Sequence, residues 1–192
     1  MIAILDYGAG NAASVQNAVN RLGYETLLTR DAKFIASADK VIFPGVGQAA
    51  SAMENLKNQG LNTLLPELEQ PVLGICLGLQ LMCEFSQEGN TDGLSIFKTR
   101  VAKFPETGIV PHMGWNSVDK LDSVLFDGIS DGTDFYFVHS YFAPVSENTS
   151  ARCDYLTPFS AALERDNFYA VQFHPEKSGI AGQQLLKNFL EL

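Results

Sequence analysis

Residues 71–80 read Pro-Val-Leu-Gly-Ile-Cys-Leu-Gly-Leu-Gln, and the rest of the chain is organised around this stretch. The apolar run at 72–75 is typical of a buried strand. The apolar residues that follow this run predict a helix packed on a sheet; they are Leu77, Leu79, Leu81, Met82 and Phe85. Cys76 is therefore expected at a strand-to-helix turn, with Gly74 and Gly78 two residues away on either side. This is the pattern of a nucleophile elbow with a thiol in place of the hydroxyl.

Two properties of such a turn suit a nucleophile. Residues without a Cβ let the strand and the helix pass close together around a strained backbone. The first turn of the helix leaves unpaired N–H groups beside the sulfur, which can receive a developing oxyanion. The alternative is a buried core cysteine, since free cysteine is among the most buried residue types. That alternative is preferred for Cys83, predicted on the following helix, and for Cys153, whereas the two glycines favour a nucleophile at Cys76 if a base lies nearby.

Length and composition limit the possible classes of protein. The 192 residues suit a single domain over residues 1–192, and 46% hydrophobic with 18% charged residues indicates a globular chain. No run approaches the roughly 20 apolar residues of a membrane span, and no signal peptide is expected at the start. Three cysteines at irregular spacing favour a reducing compartment, the cytoplasm. A net charge of −9 disfavours nucleic-acid or anionic-membrane binding, and no metal-ligand spacing, P-loop or Gly-x-Ser-x-Gly motif is found, so we expect no metal or cofactor.

The order of strands and helices predicts an α/β fold. Short apolar strands at 2–5, 25–28 and 41–43 alternate with helical segments at 12–22 and 48–56, which predicts an open, mostly parallel central sheet with helices on both faces. After Gly93, β-rich segments at 96–104, 110–118 and 135–145, and a hairpin at 161–173 around Asp166-Asn167, predict antiparallel strands in the C-terminal half. A helix at 182–190 closes the chain. The loops at 8–11, 44–47 and Cys76 all follow strand ends, so we expect them on one rim, where such sheets bind ligands.

A base for Cys76 is found at 172–176, Gln-Phe-His-Pro-Glu. A Cys–His pair needs a third group to orient the imidazole and stabilise its charge, and Glu176 is chemically suited to do this for His174. The alternative for His-x-Glu alone is a solvated turn, but together with the elbow a triad is the better account. His112 and His139 lack such a carboxylate and are predicted as loop or rim residues.

The motifs at 74–80 and 172–176 resemble those of the class I (triad) glutamine amidotransferases. Within that family, five further segments resemble the glutaminase subunit of imidazole glycerol phosphate synthase, of histidine biosynthesis. They are Asp-Tyr-Gly-Ala-Gly-Asn at 6–11, Pro-Gly-Val-Gly at 44–47, Pro-His-Met-Gly-Trp-Asn at 111–116, Tyr-Phe-Val-His-Ser-Tyr at 136–141 and Lys-Ser at 177–178. Leu79 and Cys83 depart from the family's usual residues, and Leu156 and Ala170 stand where glycine is expected. None of these departures touches the triad.

The resemblance implies hydrolysis of glutamine to glutamate and ammonia through a glutamyl thioester. Cys76 is then the nucleophile, His174 the general base and acid, and Glu176 the residue that orients His174. The resemblance assigns the oxyanion donors to the amides of Leu77 and Val46. Glycines on both sides of Val46 make a peptide flip there cheap, which could switch the site on and off, although a simple tight turn is the alternative.

The resemblance also implies a glutamine pocket and a partner. It assigns the pocket to Gly47, Gln80, Glu88, Ser140 and Tyr141, with Glu88 facing the substrate ammonium. It names the partner as the cyclase subunit, which is a (β/α)₈ barrel, in a heterodimer that uses the ammonia to make imidazole glycerol phosphate and AICAR. The interface is predicted to include Asn11, Trp115, Tyr136 and Lys177, and an exposed tryptophan beside a lysine is interface-like.

Three alternatives stay open at the level of sequence. The first is a free-standing cysteine hydrolase or peptidase with the same elbow and histidine. The second is a dinucleotide-binding module, because Gly8-x-Gly10-x-x-Ala13 follows a strand, with Glu25 near the second strand. This alternative leaves the Cys–His–Glu set unexplained. The third is a catalytically inactive structural subunit.

Overall fold

The computed structural model describes residues 1–8 and 10–192 of the chain. Ala9, part of the loop predicted at 8–11, lies outside the described residues. The α-helices among the described residues span Ala12–Arg21 (α1), Ala32–Ser37 (α2), Ala49–Asn58 (α3), Leu61–Leu64 (α4), Leu77–Met82 (α5) and Gly179–Glu191 (α6). In the described part of the chain, no helix has both the length and the apolar character needed to cross a membrane.

The strands span Ile2–Leu5 (β1), Thr26–Thr29 (β2), Lys40–Gly45 (β3), Val72–Cys76 (β4), Cys83–Ser86 (β5), Thr91–Asp92 (β6), Phe97–Lys103 (β7), His112–Val118 (β8), Thr133–His139 (β9), Tyr141–Phe142 (β10), Thr149–Tyr155 (β11), Thr157–Arg165 (β12) and Phe168–Val171 (β13). Seven of them form the central sheet, in the order β11-β12-β13-β4-β3-β1-β2. The strands from β13 to β2 pair in parallel, and β12 pairs antiparallel with both β11 and β13. The predicted α/β fold, with a mostly parallel sheet and antiparallel strands in the C-terminal half, is confirmed.

Alternation along the strands places a core on each face of the sheet. Ile2 and Ile4 of β1 belong to the same core as the apolar sides of α1 and α6. Ala3 and Leu5, which point the other way, share a second core with α2, α3 and α5. Each large apolar side chain buried in this way contributes roughly 1.5–3 kcal/mol. Burial on both faces explains why the parallel strands are short continuous apolar runs.

Two smaller sheets complete the fold. Strands β10, β7, β5 and β6 form one, and β8 with β9 forms an antiparallel ribbon. The prediction that the helix after Cys76 continues through Cys83 and Phe85 is wrong. The helix α5 ends at Met82, and Cys83 to Ser86 form β5, which pairs with both β6 and β7. Over so short an apolar run the helical and strand periods overlap, and pairing with two strands decides the outcome.

The strand that leads to the rim is longer than predicted. Pro44 and Gly45 were expected to break the pattern, but both belong to β3, where Gly45 lies opposite Cys76 in the register. The segment predicted as one strand at 135–145 is interrupted at Ser140, between β9 and β10. Leu156, at a position where the family resemblance predicts glycine, has a φ of 53°. That backbone conformation explains the preference for glycine.

Candidate active site

Cys76 is the last residue of β4 and directly precedes α5, with φ 53° and ψ −104°. Such a conformation costs a non-glycine residue roughly 1–3 kcal/mol and persists only where packing enforces it. The two flanking glycines allow that packing. A Cβ on Gly78 would collide with the carbonyl oxygen of Phe43 in β3, and one on Gly74 would crowd the sulfur of Met82. The elbow predicted from sequence is therefore present, with the Leu77 amide at the start of the helix.

The partners of Cys76 come from the end of the neighbouring strand. Because β13 pairs in parallel with β4, the chain leaving β13 reaches the same rim as Cys76. A single 3-10 turn at Pro175–Lys177 then returns Glu176 to the imidazole. His174 Nδ1 lies 2.8 Å from Glu176 Oε1, and these side chains are 0% and 1% exposed. Asn11 Nδ2 donates to the same carboxylate oxygen at 2.6 Å.

The charged forms of these residues stabilise one another. Burial opposes protonation of His174, but the contacts with Cys76 and Glu176 outweigh it and raise the pKa of His174 to about 10. Burial likewise opposes ionisation of Glu176, yet hydrogen bonds from His174 and Asn11 hold the pKa of its carboxyl below the usual range. Glu176 is hydrogen-bonded to Nδ1 of His174. The other ring nitrogen, Nε2, is buried and forms no hydrogen bond among the described residues, so it is the nitrogen available to the thiol. Such catalytic contacts commonly close only when substrate binds.

Cys76 opens into a cavity of about 340 Å³ at the rim. This volume lies at the small end of the range of roughly 300–1,000 Å³ for small-molecule sites, as an amino acid requires. The cavity brings together all the residues predicted to hold the oxyanion or the substrate, namely Val46, Gly47, Leu77, Gln80, Glu88, Ser140 and Tyr141. Three further lining residues, Pro111, Val138 and His139, were not among the predicted site residues.

Glu88 is partly committed to the protein. One of its carboxylate oxygens accepts a hydrogen bond of 2.8 Å from the Ala49 amide, at the start of α3. Half-burial raises the pKa of Glu88, and the Ala49 hydrogen bond opposes that shift. The other carboxylate oxygen forms no hydrogen bond in the described part of the chain, so a bound ammonium could pair with it and oppose the upward shift of the Glu88 pKa.

The segment 45–47 reaches the nucleophile directly. Gly45 lies opposite Cys76 in the register, and a Cβ there would collide with the hydroxyl of Tyr7. Gly47 has a φ of 107°, which a residue with a Cβ rarely adopts. Val46 stands between them on the cavity wall. This placement suits a loop whose peptides can be turned toward the reacting carbon.

The prediction that His112 and His139 are loop or rim residues is wrong as to loops, since both lie on strands, although His139 lines the cavity at the rim. They lie opposite each other on β8 and β9 and are 4% and 6% exposed. Burial lowers the pKa of His112 to about 4 and that of His139 to about 3, so both are neutral. Their rings stack among aromatic side chains, with His112 centred 4.0 Å from Tyr155. The pairing across two strands is a tertiary contact that no local pattern in either segment could predict.

The hydrogen bonds of this pair fix its tautomers. His139 Nδ1 lies 2.8 Å from the Tyr141 carbonyl oxygen, which can only accept, so Nδ1 carries the proton. His139 Nε2 must then accept from His112 Nδ1 at 3.0 Å, and His112 Nε2 accepts from Asn116 Nδ2 at 3.2 Å. The chain of donors therefore runs in one direction, from Asn116 to the Tyr141 carbonyl in the cavity wall.

Three of the four predicted interface residues form a surface beside the triad. Trp115 is 57% exposed, its ring meets Tyr136 edge-on, and Lys177 lies over the Tyr136 ring. Two further residues, which were not predicted, are also exposed. Met113 lies on β8 with Trp115 and is 63% exposed, and Ile180 lies at the start of α6 and is 86% exposed. Asn11, the fourth predicted residue, directs its side chain to Glu176, and its place at the interface stays a prediction. We call Met113, Trp115, Tyr136, Lys177 and Ile180 the tryptophan surface.

Comparison with known proteins identifies the family. Residues 3–192 match the family model described as glutamine amidotransferase class-I. The chain is 56% identical to imidazole glycerol phosphate synthase subunit HisH of Bacteroides fragilis, over 100% of this chain and 99% of that protein. It is 50% identical to the Salmonella typhimurium protein of the same name, with the same coverage.

A solved structure agrees in fold. The crystal structure of a putative GMP synthase subunit from Thermoplasma acidophilum superimposes with a TM-score of 0.76 at 18% identity, over 99% of this chain and 92% of that chain. At this identity the likeness concerns the fold alone, but the family model and the two relatives carry the assignment further. The chain belongs to the class-I glutamine amidotransferase family and, within it, is a relative of imidazole glycerol phosphate synthase subunit HisH.

Proposed function

We propose that the single domain at residues 1–192 is the glutaminase subunit of an imidazole glycerol phosphate synthase, acting in histidine biosynthesis. In this role it hydrolyses glutamine to glutamate and ammonia. The observation that carries the proposal is the position of Cys76, which opens into a cavity lined by every residue predicted to hold glutamine. The His174–Glu176 pair stands beside it, buried and hydrogen-bonded.

The triad can perform both halves of the reaction. His174 takes the thiol proton, the sulfur attacks the side-chain amide carbon, and the oxyanion forms against the Leu77 and Val46 amides. His174 then protonates the departing nitrogen, which leaves ammonia and a glutamyl thioester on Cys76. Water, deprotonated by His174, attacks the thioester and releases glutamate. A His174 pKa of about 10 means that the imidazolium holds this proton at neutral pH, ready for the leaving group.

The cavity offers recognition for both ends of glutamine. The Glu88 carboxylate matches the charge of the substrate ammonium, while Gly47, Ser140 and Tyr141 contribute backbone groups to the lining, which also includes Gln80. A backbone wall reads a carboxylate through fixed N–H groups, which need no side-chain ordering when substrate binds.

Ammonia released at this rim would be protonated in bulk water, so a sheltered receiver is required. The names of the relatives describe a subunit of a synthase, which supports a cyclase partner, a (β/α)₈ barrel in a heterodimer. The tryptophan surface lies beside the triad and exposes two large apolar side chains and one aromatic ring, as docking faces do. All three cysteines are free, which supports a cytoplasmic location.

The test measures glutamate release from glutamine with and without the cyclase partner and its nucleotide ligand. Wild type should be slow alone and much faster in the complex, and Cys76→Ala should be inactive in both. Cys153→Ala, which removes a buried cysteine on β11, should retain activity. Absence of glutamate under every condition would contradict the proposal. Full activity without the cyclase would contradict the idea that the loop around Val46 switches the site on, and it is the result expected of a free-standing hydrolase.

A further inference from the structure

Gln172 is a fully buried polar residue beside the nucleophile. It follows the last residue of β13, two positions before His174, and its backbone amide is held by the Ala161 carbonyl at 2.8 Å. Its side-chain Nε2 lies 3.7 Å from the Cys76 sulfur. Its Oε1 lies 3.1 Å from Nε2 of Gln80. The side chain thus links the nucleophile to a residue of the cavity wall.

The direction of the Gln172 amide is forced by its neighbours. Gln80 Nε2 has two hydrogens, and the Tyr141 carbonyl oxygen, at 2.8 Å, takes one of them. The second hydrogen needs an acceptor, so Gln172 must present its oxygen to Gln80 and its nitrogen to the sulfur. Reversing the Gln172 amide would set two N–H groups against each other and leave a carbonyl oxygen against the sulfur.

A donor in this place acts on the charged form of the nucleophile. An N–H group stabilises a thiolate more than a thiol, because hydrogen bonds to charged acceptors are about twice as strong as neutral ones. The Val138 carbonyl oxygen lies 3.9 Å from the sulfur and can accept only from the thiol. Gln172 and Val138 therefore favour opposite protonation states of Cys76, and His174 receives the proton.

Resting on the proposed function, we propose that Gln172 is a positioning residue for glutamine hydrolysis, which holds the Cys76 thiolate through its side-chain amide. Gln80 couples this amide to the Tyr141 carbonyl. Gln80 and Gln172 thereby hold both the Tyr141 part of the cavity wall and the Cys76 sulfur in place. His139 donates to the same Tyr141 carbonyl at 2.8 Å and so fixes the far end of the pair.

The first variant is Gln172→Glu, which keeps the shape and the acceptor for Gln80 but replaces the donor to the sulfur with a carboxylate that repels the thiolate. In the complex with the cyclase, we expect kcat to fall about 10- to 100-fold, with KM for glutamine changed less than about threefold. Gln172→Met, which removes both polar groups at similar size, should also lower kcat. Gln183→Glu makes the same charge change at an exposed position on α6 and should behave as wild type.

A second readout follows the sulfur alone. The rate at which iodoacetamide alkylates Cys76 is measured against pH by peptide mass spectrometry, and we expect its midpoint to move to higher pH in both Gln172 variants. His174 and Tyr7, the titratable groups facing the sulfur, are unchanged in these variants. The buried Cys83 and Cys153 should stay unmodified, and their labelling would reveal a variant that has not folded.

The outcomes separate this proposal from the function on which it rests. Wild-type kcat and an unchanged alkylation profile in folded Gln172→Met would overturn the positioning role. A shifted alkylation profile in a protein that never releases glutamate would support the role of Gln172 and contradict the glutaminase. A rise in KM with unchanged kcat and profile would place Gln172 in the cavity wall only, and so overturn the proposal as well.

Discussion

The side chain of Asn11 donates to Glu176 Oε1 at 2.6 Å, and the same oxygen lies 2.8 Å from His174 Nδ1. Asn11 precedes α1 with a φ of 65°, a conformation that asparagine tolerates better than most residues. Its side chain forms no cap on that helix. The strand-end loop of β1 thus supplies a residue that orients the triad carboxylate, whereas sequence reasoning predicted Asn11 at the partner interface.

Asn11→Ala should therefore slow the reaction. Loss of a hydrogen bond to a charged, buried carboxylate is expected to lower kcat about tenfold in the cyclase complex, with KM for glutamine little changed. The dissociation constant for the cyclase is the second measurement, and we expect less than about a threefold change. A variant with normal kcat and much weaker cyclase binding would instead place Asn11 at the interface, as the sequence predicted.

Cys76→Ala should lower the pKa of His174. The contact with Cys76 is the largest of the effects that raise this pKa to about 10 against burial, and the alanine removes it. The measurement is long-range ¹H–¹⁵N NMR of the His174 ring against pH in wild type and variant. Cys153→Ala, whose titratable neighbours are Asp154 and Asp119, is the control and should leave the midpoint unchanged.

The same shifts set the pH range in which the triad stabilises the fold. His174 has a folded pKa above its ordinary value of 6.5, so its contribution is complete below that value and is lost as pH rises through about 10. Glu176 has a lowered pKa, so its contribution is present above its ordinary 4.5 and is lost as pH falls below it. The contribution of the pair is therefore largest between those two ordinary values. A midpoint for His174 near its ordinary value in wild type would contradict the statement about His174 and the pH range derived from it.

His112→Phe should destabilise the protein and change its acid response. Phenylalanine keeps the stacking on Tyr155 but leaves His139 Nε2 without its donor, which we expect to cost about 1–3 kcal/mol at neutral pH. In wild type, both neutral histidines take up protons on unfolding below about pH 6.5, so stability falls toward acid. Urea unfolding from about pH 4 to about pH 6.5 should show a slope in the variant smaller by up to about 1.4 kcal/mol per pH unit. An unchanged slope would mean that His112 is already protonated in the folded state.

Leu156→Gly should be more stable than Leu156→Ala. Both variants lose the same apolar contacts of a half-exposed side chain, but only glycine adopts the φ of 53° without strain. We expect a difference of about 1 kcal/mol in the free energy of unfolding, measured by urea titration. Equal stabilities would show that the turn at Leu156 relaxes out of the left-handed region in solution.

The sequence is most informative where a residue's role depends on its near neighbours. Cys76 could be placed because the apolar pattern changes there from strand to helix and two glycines flank it. The end of α5 at Met82 could not be predicted, because the chain leaves the helix there to form β5, which pairs with two other strands. His112 and Gln172 were missed as polar core residues for a related reason. Their hydrogen-bond partners lie 27 and 92 residues away, across separate elements, so no local pattern predicts them.

Trp115→Ala should weaken binding of the cyclase partner by about tenfold or more, since an exposed aromatic anchor at a docking face commonly contributes about 2 kcal/mol or more. Glutamate release at saturating cyclase should stay within about threefold of wild type, because Trp115 is not among the residues that line the cavity. The control is Val124→Ala. Val124 is 44% exposed and lies far from the tryptophan surface. The carbonyl of its neighbour Leu125 accepts from Asn188 near the end of α6, whereas the Trp115 ring lies beside Gly179 at the start of that helix. The two positions on α6 are about 14 Å apart. Isothermal titration calorimetry gives both dissociation constants, and wild-type affinity in Trp115→Ala would remove the tryptophan surface as the docking face.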